Sequence, residues 1–325
     1  MDIRVGTSFS PRRCGRFGLA VRETFRQVLD RGFAIVRLSA YWDEIAKNGH
    51  GELDELLDAA RAAGLPILLT VGMKAIQWPE FYLPPAVPAD APRGGRVGRD
   101  PRLAAQVLSF VTETVARYRD REEIVAWQVE NEPFNRSGPQ HWWIDPGLVR
   151  REAQAVRALD PRRPIVLNAF AHFNAALDAE SRPRHAPFNA RRLSPEKTIL
   201  DLLRPGDVLG LDTYTAIGAT AEDEPIVHRA DRDWADDAGR WLRAAQARGR
   251  DAWIVEAQAE PWEPSHDTYA NPISFSPEDL VANFERLAEA GFSTILLWGC
   301  EYWSWRAAAG DGRWLEAAAH VMRAS

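Results

Sequence analysis

The stretch VAWQVENEPFN, residues 125–135, carries an aliphatic and aromatic run straight into Glu130, Asn131, Glu132 and Pro133. With Ile124 in front, the run reads as a strand covered on both faces, the pattern of a parallel sheet. A covered strand seldom finishes on two carboxylates, because an unpaired charge in apolar surroundings is costly. Charge is tolerated where a strand leaves the core, so residues 130–132 mark a rim, and the purpose of that rim is the question.

Seven further runs of the same kind occur at 3–8, 34–39, 66–71, 164–169, 207–212, 252–257 and 294–299. Amphipathic helical patterns separate them, at roughly 17–31, 52–63, 101–119, 146–159, 195–203, 231–248, 277–290 and 312–324. Asp100-Pro101, Asp145-Pro146, Ser194-Pro195 and Ser276-Pro277 supply a capping side chain followed by proline in the first turn. Eight strand–helix repeats without a linker or a shift in composition predict one closed (β/α)8 TIM barrel over 1–325, a single α/β domain. The helix-to-strand joints are short, whereas the strand-to-helix segments 72–100, 170–194 and 213–230 are long. Long connections therefore crowd the C-terminal rim, where barrels of this type carry their chemistry.

The 325 residues have a net charge of −6 and no basic surplus, which argues against nucleic acid as a partner. No apolar run is long enough to cross a membrane, and MDIRVGTSFS lacks the basic and apolar regions of a leader, so a cytoplasmic location is expected. Cys14 and Cys300 are too few for a disulfide framework or a metal site. They follow strands one and eight, which are neighbours in a closed barrel. Oligomeric state is not legible.

Thirteen tryptophans are far more than a core of this size needs, so their positions decide their use. Trp127, Trp234, Trp241, Trp253 and Trp314 lie inside strands or helices and read as packing. Trp42, Trp78, Trp142, Trp143, Trp262, Trp298, Trp303 and Trp305 fall at or beyond strand ends. At least three of these are expected to touch a ligand, and aromatic faces beside carboxylates suit a neutral, hydroxyl-rich one.

Glu132 ends strand four and Glu256, in WIVEAQAEPW, ends strand seven, so both project over the barrel mouth from opposite sides. Two facing carboxylates with unlike proton affinities are what glycoside hydrolysis needs, one protonating the leaving oxygen while the other attacks or activates water. Ion pairing with Arg37 or another arginine is the plain alternative for either one taken alone.

WQVENEP resembles the strand-four signature of glycoside hydrolase clan A, the retaining β-glycosidases built on (β/α)8 barrels. The resemblance implies Glu132 as general acid/base, Glu256 as nucleophile, and no metal or organic cofactor. It also implies that Asn131 holds the sugar 2-hydroxyl, Arg37 and Tyr214 attend the nucleophile, and Trp298 lies under the sugar. Trp78, Trp262, Trp42 and His141 are further candidates for substrate contact; His172, His228 and His266 also fall in rim loops. Glu130 is expected to be structural or a subsite contact, and Glu260 is the second candidate nucleophile. Cellulase-type members carry a histidine after strand three and a His-x-Tyr after strand six. TVGMK and Asp212-Thr213-Tyr214 stand there instead, pointing away from the cellulase type and a glucan and equally toward β-galactosidase- or β-mannosidase-like branches.

Other chemistries fit less well. Strand one lacks the His-x-His of a metal hydrolase, Lys74 is the one candidate for a Schiff base, and no phosphate cradle is present. A carbohydrate-binding protein on an inactive glycosidase barrel, or a transglycosylase, stands as the alternative function.

Overall fold

The computed structural model describes residues 2–171, 194–221, 224–263 and 266–323; His172 lies outside the described residues. The barrel strands are β1 (Arg4–Ser8), β2 (Ile35–Ser39), β3 (Ile67–Val71), β4 (Ile124–Val129), β5 (Ile165–Ala171), β6 (Val208–Thr213), β7 (Asp251–Gln258) and β8 (Thr294–Trp298). Each pairs in parallel with its sequence neighbours, and β8 closes on β1, giving a closed (β/α)8 barrel.

The outer helices are α1 (Val21–Leu29), α2 (Gly51–Ala62), α3 (Pro101–Tyr118), α4 (Pro146–Leu159), α5 (Pro195–Leu202), α6 (Trp234–Gln246), α7 (Pro277–Glu289) and α8 (Arg313–Arg323). Asp100, Asp145, Ser194 and Ser276 each cap their helix through the side chain with proline inside the first turn, and Ser276 and Asp279 complete a capping box. The helix expected at 17–31 is α1 alone; a separate short helix, Pro11–Arg16, precedes it, with Gly18, whose φ is 67°, between the two. Rim segments add helices Trp42–Asn48 and Cys300–Ala308 and a hairpin, Ala216–Ala221 with Glu224–Arg229. Cys14 and Cys300 are free, buried thiols.

Strand alternation stacks the barrel interior in layers. Ile35, Leu68, Ala126, Val166, Val208 and Leu296 form an apolar plug inside. Two residues further along the same strands stand Arg37, Thr70, Gln128, Asn168 and Trp298, and Asp212 lies four beyond Val208; all are buried. An apolar floor therefore carries a polar layer facing the rim with the long loops. Strand β7 departs from plain alternation. Trp253 and Val255 both belong to the inner plug, so Glu256 would point outward, but the register against β6 slips between Ile254 and Glu256. This bulge turns Glu256 into the polar layer, a use of bulges common beside functional sites.

Candidate active site

Both carboxylate oxygens of Glu256 are held. Arg37 Nη1 donates to Oε1 at 2.6 Å, and the Tyr214 hydroxyl donates to Oε2 at 2.6 Å. Arg37 is wholly buried and its Nη2 donates to Asn131 Oδ1 at 2.5 Å, so one guanidinium sets Glu256 and Asn131 relative to each other. Burial and the Glu256 charge raise the Tyr214 phenol well above its ordinary value, keeping it a donor.

Glu132 lies across from Glu256, with Asp212 beside both. One carboxylate oxygen from each of the three lies within 4.8 Å of the other two. Burial pushes Glu132 up to about 7 and the charge on Glu256 adds to this, while Lys74 and the bond from Asp212 hold it down. Burial, then the charges on Glu256 and Glu132, drive the Asp212 carboxyl well above the usual range. Arg37 on Glu256 and Lys74 3.8 Å from Glu132 do not balance three buried carboxylates, and the proton affinities of Glu132 and Asp212 rise. Among the described residues this trio is the one group with the spacing of metal ligands. Arg37 and Tyr214 already occupy Glu256, so an incoming cation would have to displace them.

Asn168 joins these parts. Its Oδ1 accepts from the Glu132 backbone N–H at 2.8 Å and from Gln128 Nε2 at 3.0 Å. Its Nδ2 donates to Asn131 Oδ1 at 3.0 Å and to Asp212 Oδ2 at 2.6 Å. Sequence reading missed both Asn168 and Asp212. Each sat in view near the end of a strand already identified, at 164–169 and 207–212, but only the closed barrel shows that their side chains meet the residues ending β4.

Glu130 supports the site from behind. It is fully buried and accepts the backbone N–H groups of Met73 and Lys74 at 3.0 and 2.6 Å, so it pins the loop after β3. Gly72, with φ 136°, is obligatory there, since a Cβ would fall 2.3 Å from the Glu130 carboxyl carbon. The pinned loop delivers Lys74, buried, to the Glu132 carbonyl oxygen at 2.7 Å, the Glu80 carboxylate at 3.0 Å and the Glu132 carboxylate at 3.8 Å. Lys74 is thus engaged with three oxygens at the edge of the site.

Behind Glu130 stands Glu152 of α4, also fully buried, its carboxyl beside that of Glu130. Burial and the neighbouring Glu130 raise it well above its ordinary 4.5. The folded protein therefore binds a proton that the unfolded chain releases, and stability falls as pH rises from about 4.5 toward the folded value. Melting temperature is expected to decline over that range and to decline less in Glu152→Gln, which keeps a neutral group in place. Parallel Tm–pH curves for the two proteins would show that Glu152 does not carry the proton.

A cavity of about 600 Å³ opens over the trio, lined by Glu132, Glu256, Asn131, Tyr214, Trp298, Trp78, Trp262 and His141 among others. Trp78 and Trp262 are 56% and 40% exposed, as expected of free aromatic faces. Trp42 is a correction: it is buried, stacks on Phe110 at 5.2 Å and does not line the cavity, because the short helix it begins folds back against α3. Trp142, Trp143, Trp303 and Trp305 also lie off the cavity; Trp303 is buried with Nε1 donating to the Ala259 carbonyl. His228 belongs to the hairpin strand Glu224–Arg229 and is not among the lining residues. Five non-glycine residues have φ in the left-handed region among the described residues: Gln77, Glu80, Glu130, Glu132 and His141. Four line the cavity and Glu130 stands behind it, a clustering of backbone strain typical of functional sites.

A closed (β/α)8 barrel with two facing rim glutamates over an aromatic-walled cavity defines the class of the glycosidases. The family model described as Cellulase (glycosyl hydrolase family 5) matches residues 9–197, and the chain belongs to that family. The match includes Glu130-Asn131-Glu132 and ends before Asp212 and Glu256. The expected departure from the cellulase type therefore fails at the level of family. No curated protein matches the chain.

Solved structures share the fold. The cold-adapted β-galactosidase of Rahnella sp. R3 matches with a TM-score of 0.64 at 11% identity, over 98% of this chain and 55% of that one. A GH5_18 protein from Streptomyces cattleya, in complex with GlcNAc, matches at 0.61 and 16%, over 99% and 80%. The exo-β-1,4-mannosidase of Opitutaceae bacterium strain TAV5 matches at 0.57 and 16%, over 91% and 52%. The chain spans little more than half the length of the galactosidase and the mannosidase. Among the described residues no helix is long and apolar enough to cross a membrane.

Proposed function

We propose that the protein is a retaining β-glycoside hydrolase in which Glu256 is the nucleophile and Glu132 the acid/base. The observation that carries this reading is the approach of Glu132 and Glu256 oxygens to within 4.8 Å over one cavity. Retaining enzymes hold their carboxyl groups about 5–5.5 Å apart and inverting enzymes about 6.5–9.5 Å, the latter leaving room for a water.

Arg37 and Tyr214 aim the Glu256 carboxylate at the anomeric carbon, and Asn131 is placed to hold the ring. The carbonyl oxygen of Asn131 is used by Arg37 and Asn168, so its amide NH2 is the group it offers to a sugar hydroxyl. Glu132, protonated up to about pH 7, gives its proton to the departing oxygen as Glu256 forms the glycosyl bond. Once Glu256 is esterified its charge is gone, the proton affinity of Glu132 falls, and Glu132 takes a proton from the incoming water. The substrate is a neutral β-glycoside, with β-galactosides, β-mannosides and β-glucosides the sugars to compare.

A panel of aryl β-glycosides followed by NMR of the first-formed sugar tests this. The β-anomer should appear first; an α-anomer as the initial product would overturn the assignment of Glu256 as nucleophile. Binding without turnover across the panel would favour the carbohydrate-binding alternative. On the best substrate, kcat/KM should fall above about pH 7 as Glu132 loses its proton.

Asp212 supplies a further expectation. As a neutral acid it accepts from Asn168 and donates toward Glu132, both of which asparagine can do. Asp212→Asn should keep kcat/KM within a few-fold and leave the alkaline limb in place. Asp212→Ala should lose on the order of tenfold, the cost of one buried hydrogen bond left unmade. A large displacement of the alkaline limb in Asp212→Asn would mean that Asp212 is ionised.

A further inference from the structure

Beside Trp298 the cavity wall contains a second buried carboxylate that the mechanism above does not use. Glu260 follows β7 and is 5% exposed. Its Oε1 accepts from Arg13 Nη2 and from Trp298 Nε1, the latter at 3.0 Å. Arg13, on the short helix after β1, also donates through Nη1 to Gln77 Oε1 at 2.9 Å and lies over the rings of Phe17 and Trp298, 5.0 and 5.6 Å from their centroids. Arg13, Gln77, Glu260 and Trp298 all line the cavity. Segments after β1, β3, β7 and β8 thus converge on one corner.

The corner is rigid and unfinished. Gly299, with φ 145°, has no room for a side chain, since a Cβ would lie 2.9 Å from both Glu260 Cβ and Trp303 Nε1. Glu260 Oε2 is buried and has no protein partner. A carboxylate oxygen left in that condition costs on the order of 1–3 kcal/mol, which a ligand hydroxyl would recover. Burial raises the Glu260 carboxyl, although Arg13 and the Trp298 N–H oppose that rise. Because the indole and the carboxylate are hydrogen-bonded, a ring stacked on Trp298 meets Glu260 at a fixed offset. The wall carries Glu80, Glu132, Glu256, Glu260 and Glu263 together with Arg13, Arg16 and Arg136. Arg13, the buried one of these arginines, is already paired with Glu260.

We propose that Glu260, clamped by Arg13 and the Trp298 indole, is a specificity residue that accepts a hydrogen bond from one hydroxyl of a neutral sugar ring lying on Trp298, and that it excludes rings bearing a carboxylate. The claim rests on the glycosidase reading for its substrate class but assigns a residue that reading leaves idle. A sugar hydroxyl is a good donor to a fixed carboxylate oxygen, and such charge-assisted bonds are about twice as strong as neutral ones. A uronic acid in the same place would set carboxylate against carboxylate in a poorly solvated corner, where like charges repel strongly.

The test uses the full chain and the aryl β-glycoside it hydrolyses best, together with the monodeoxy analogues of that sugar and the matched β-uronide. In the wild type one analogue should lose at least about tenfold in kcat/KM, the cost of an unpaired buried acceptor. In Glu260→Gln that particular penalty should shrink to a few-fold while the penalties of the other analogues persist. Uniform loss across the whole series would mean a purely structural ion pair and overturns the proposal. The uronide arm needs no variant: wild-type turnover of the uronide faster than its neutral partner also overturns it. If nothing in the panel turns over, the hydrolase reading has failed on its own, and calorimetric titration of the wild type with the same deoxy series still decides the recognition claim. There, equal affinity for every deoxy analogue refutes it and a selective loss supports it.

Discussion

Glu256→Ala is expected to lower kcat by on the order of 10⁵-fold, as when the nucleophile of a cooperating catalytic set is removed. The side chain is the group through which both Arg37 and Tyr214 act on the reaction, so nothing nearby can substitute for it. Glu260 is the nearest candidate in sequence, but Arg13 and Trp298 hold it in a different corner. The variant should fold, since Arg37 keeps Asn131 as an acceptor at 2.5 Å and alanine fits a strand interior. Some stability will be lost, because half of a buried ion pair is left behind. The observation with most force is rescue: millimolar azide should restore turnover of an activated aryl glycoside and yield a glycosyl azide of inverted configuration. Near-native kcat in Glu256→Ala, or restored turnover with retention, would remove Glu256 from the reaction.

Glu132→Ala should show a different signature. Loss of a general acid typically costs about 10²–10⁴-fold. That cost should appear in full for alkyl glycosides and nearly vanish in the first step for dinitrophenyl glycosides, whose leaving group needs no proton. Deglycosylation should be slow for both, because the same residue activates water, so an initial burst of phenolate is expected with the activated substrate. The alkaline limb near pH 7 should disappear, since the group that titrates there is gone. A limb that survives in Glu132→Ala would belong to another acid, Asp212 being the obvious one. Equal losses for good and poor leaving groups would show that Glu132 positions the substrate and transfers no proton.

Much of this architecture is legible in the chain. Strand β4 was expected at 124–129 and occupies Ile124–Val129, and α4 was expected at 146–159 and occupies Pro146–Leu159. Such segments succeed because a doubly covered strand must be apolar along its length, and because Asp145-Pro146 ahead of an amphipathic run favours a helix start. The rim tryptophans were less legible. Trp42 and Trp298 both stand where strands give way to loops, yet one stacks on Phe110 and the other lines the cavity. Trp42 begins a short helix whose packing buries it, whereas Trp298 ends β8 inside the barrel mouth, and periodicity does not encode that difference. Asp212 was visible only as a residue out of pattern. Its nearness to Glu132 depends on strands β4 and β6 flanking β5 and ending in one polar layer.

The sequence alone determined the order of eight strands and helices, the crowding of one rim and the presence of Glu132 and Glu256 at strand ends, because these follow from local pattern and connection length. The tertiary structure alone decided which groups share a hydrogen bond. The slip between Ile254 and Glu256 turns one carboxylate inward, closure of β8 on β1 brings Arg13 to Glu260, and Asn168 of β5 ties four residues of β4, the turn after it and β6 into one network. Contacts of that kind are set by the shape of a closed sheet and by burial that makes unpaired polar atoms costly, and neither quantity belongs to any stretch of chain taken by itself.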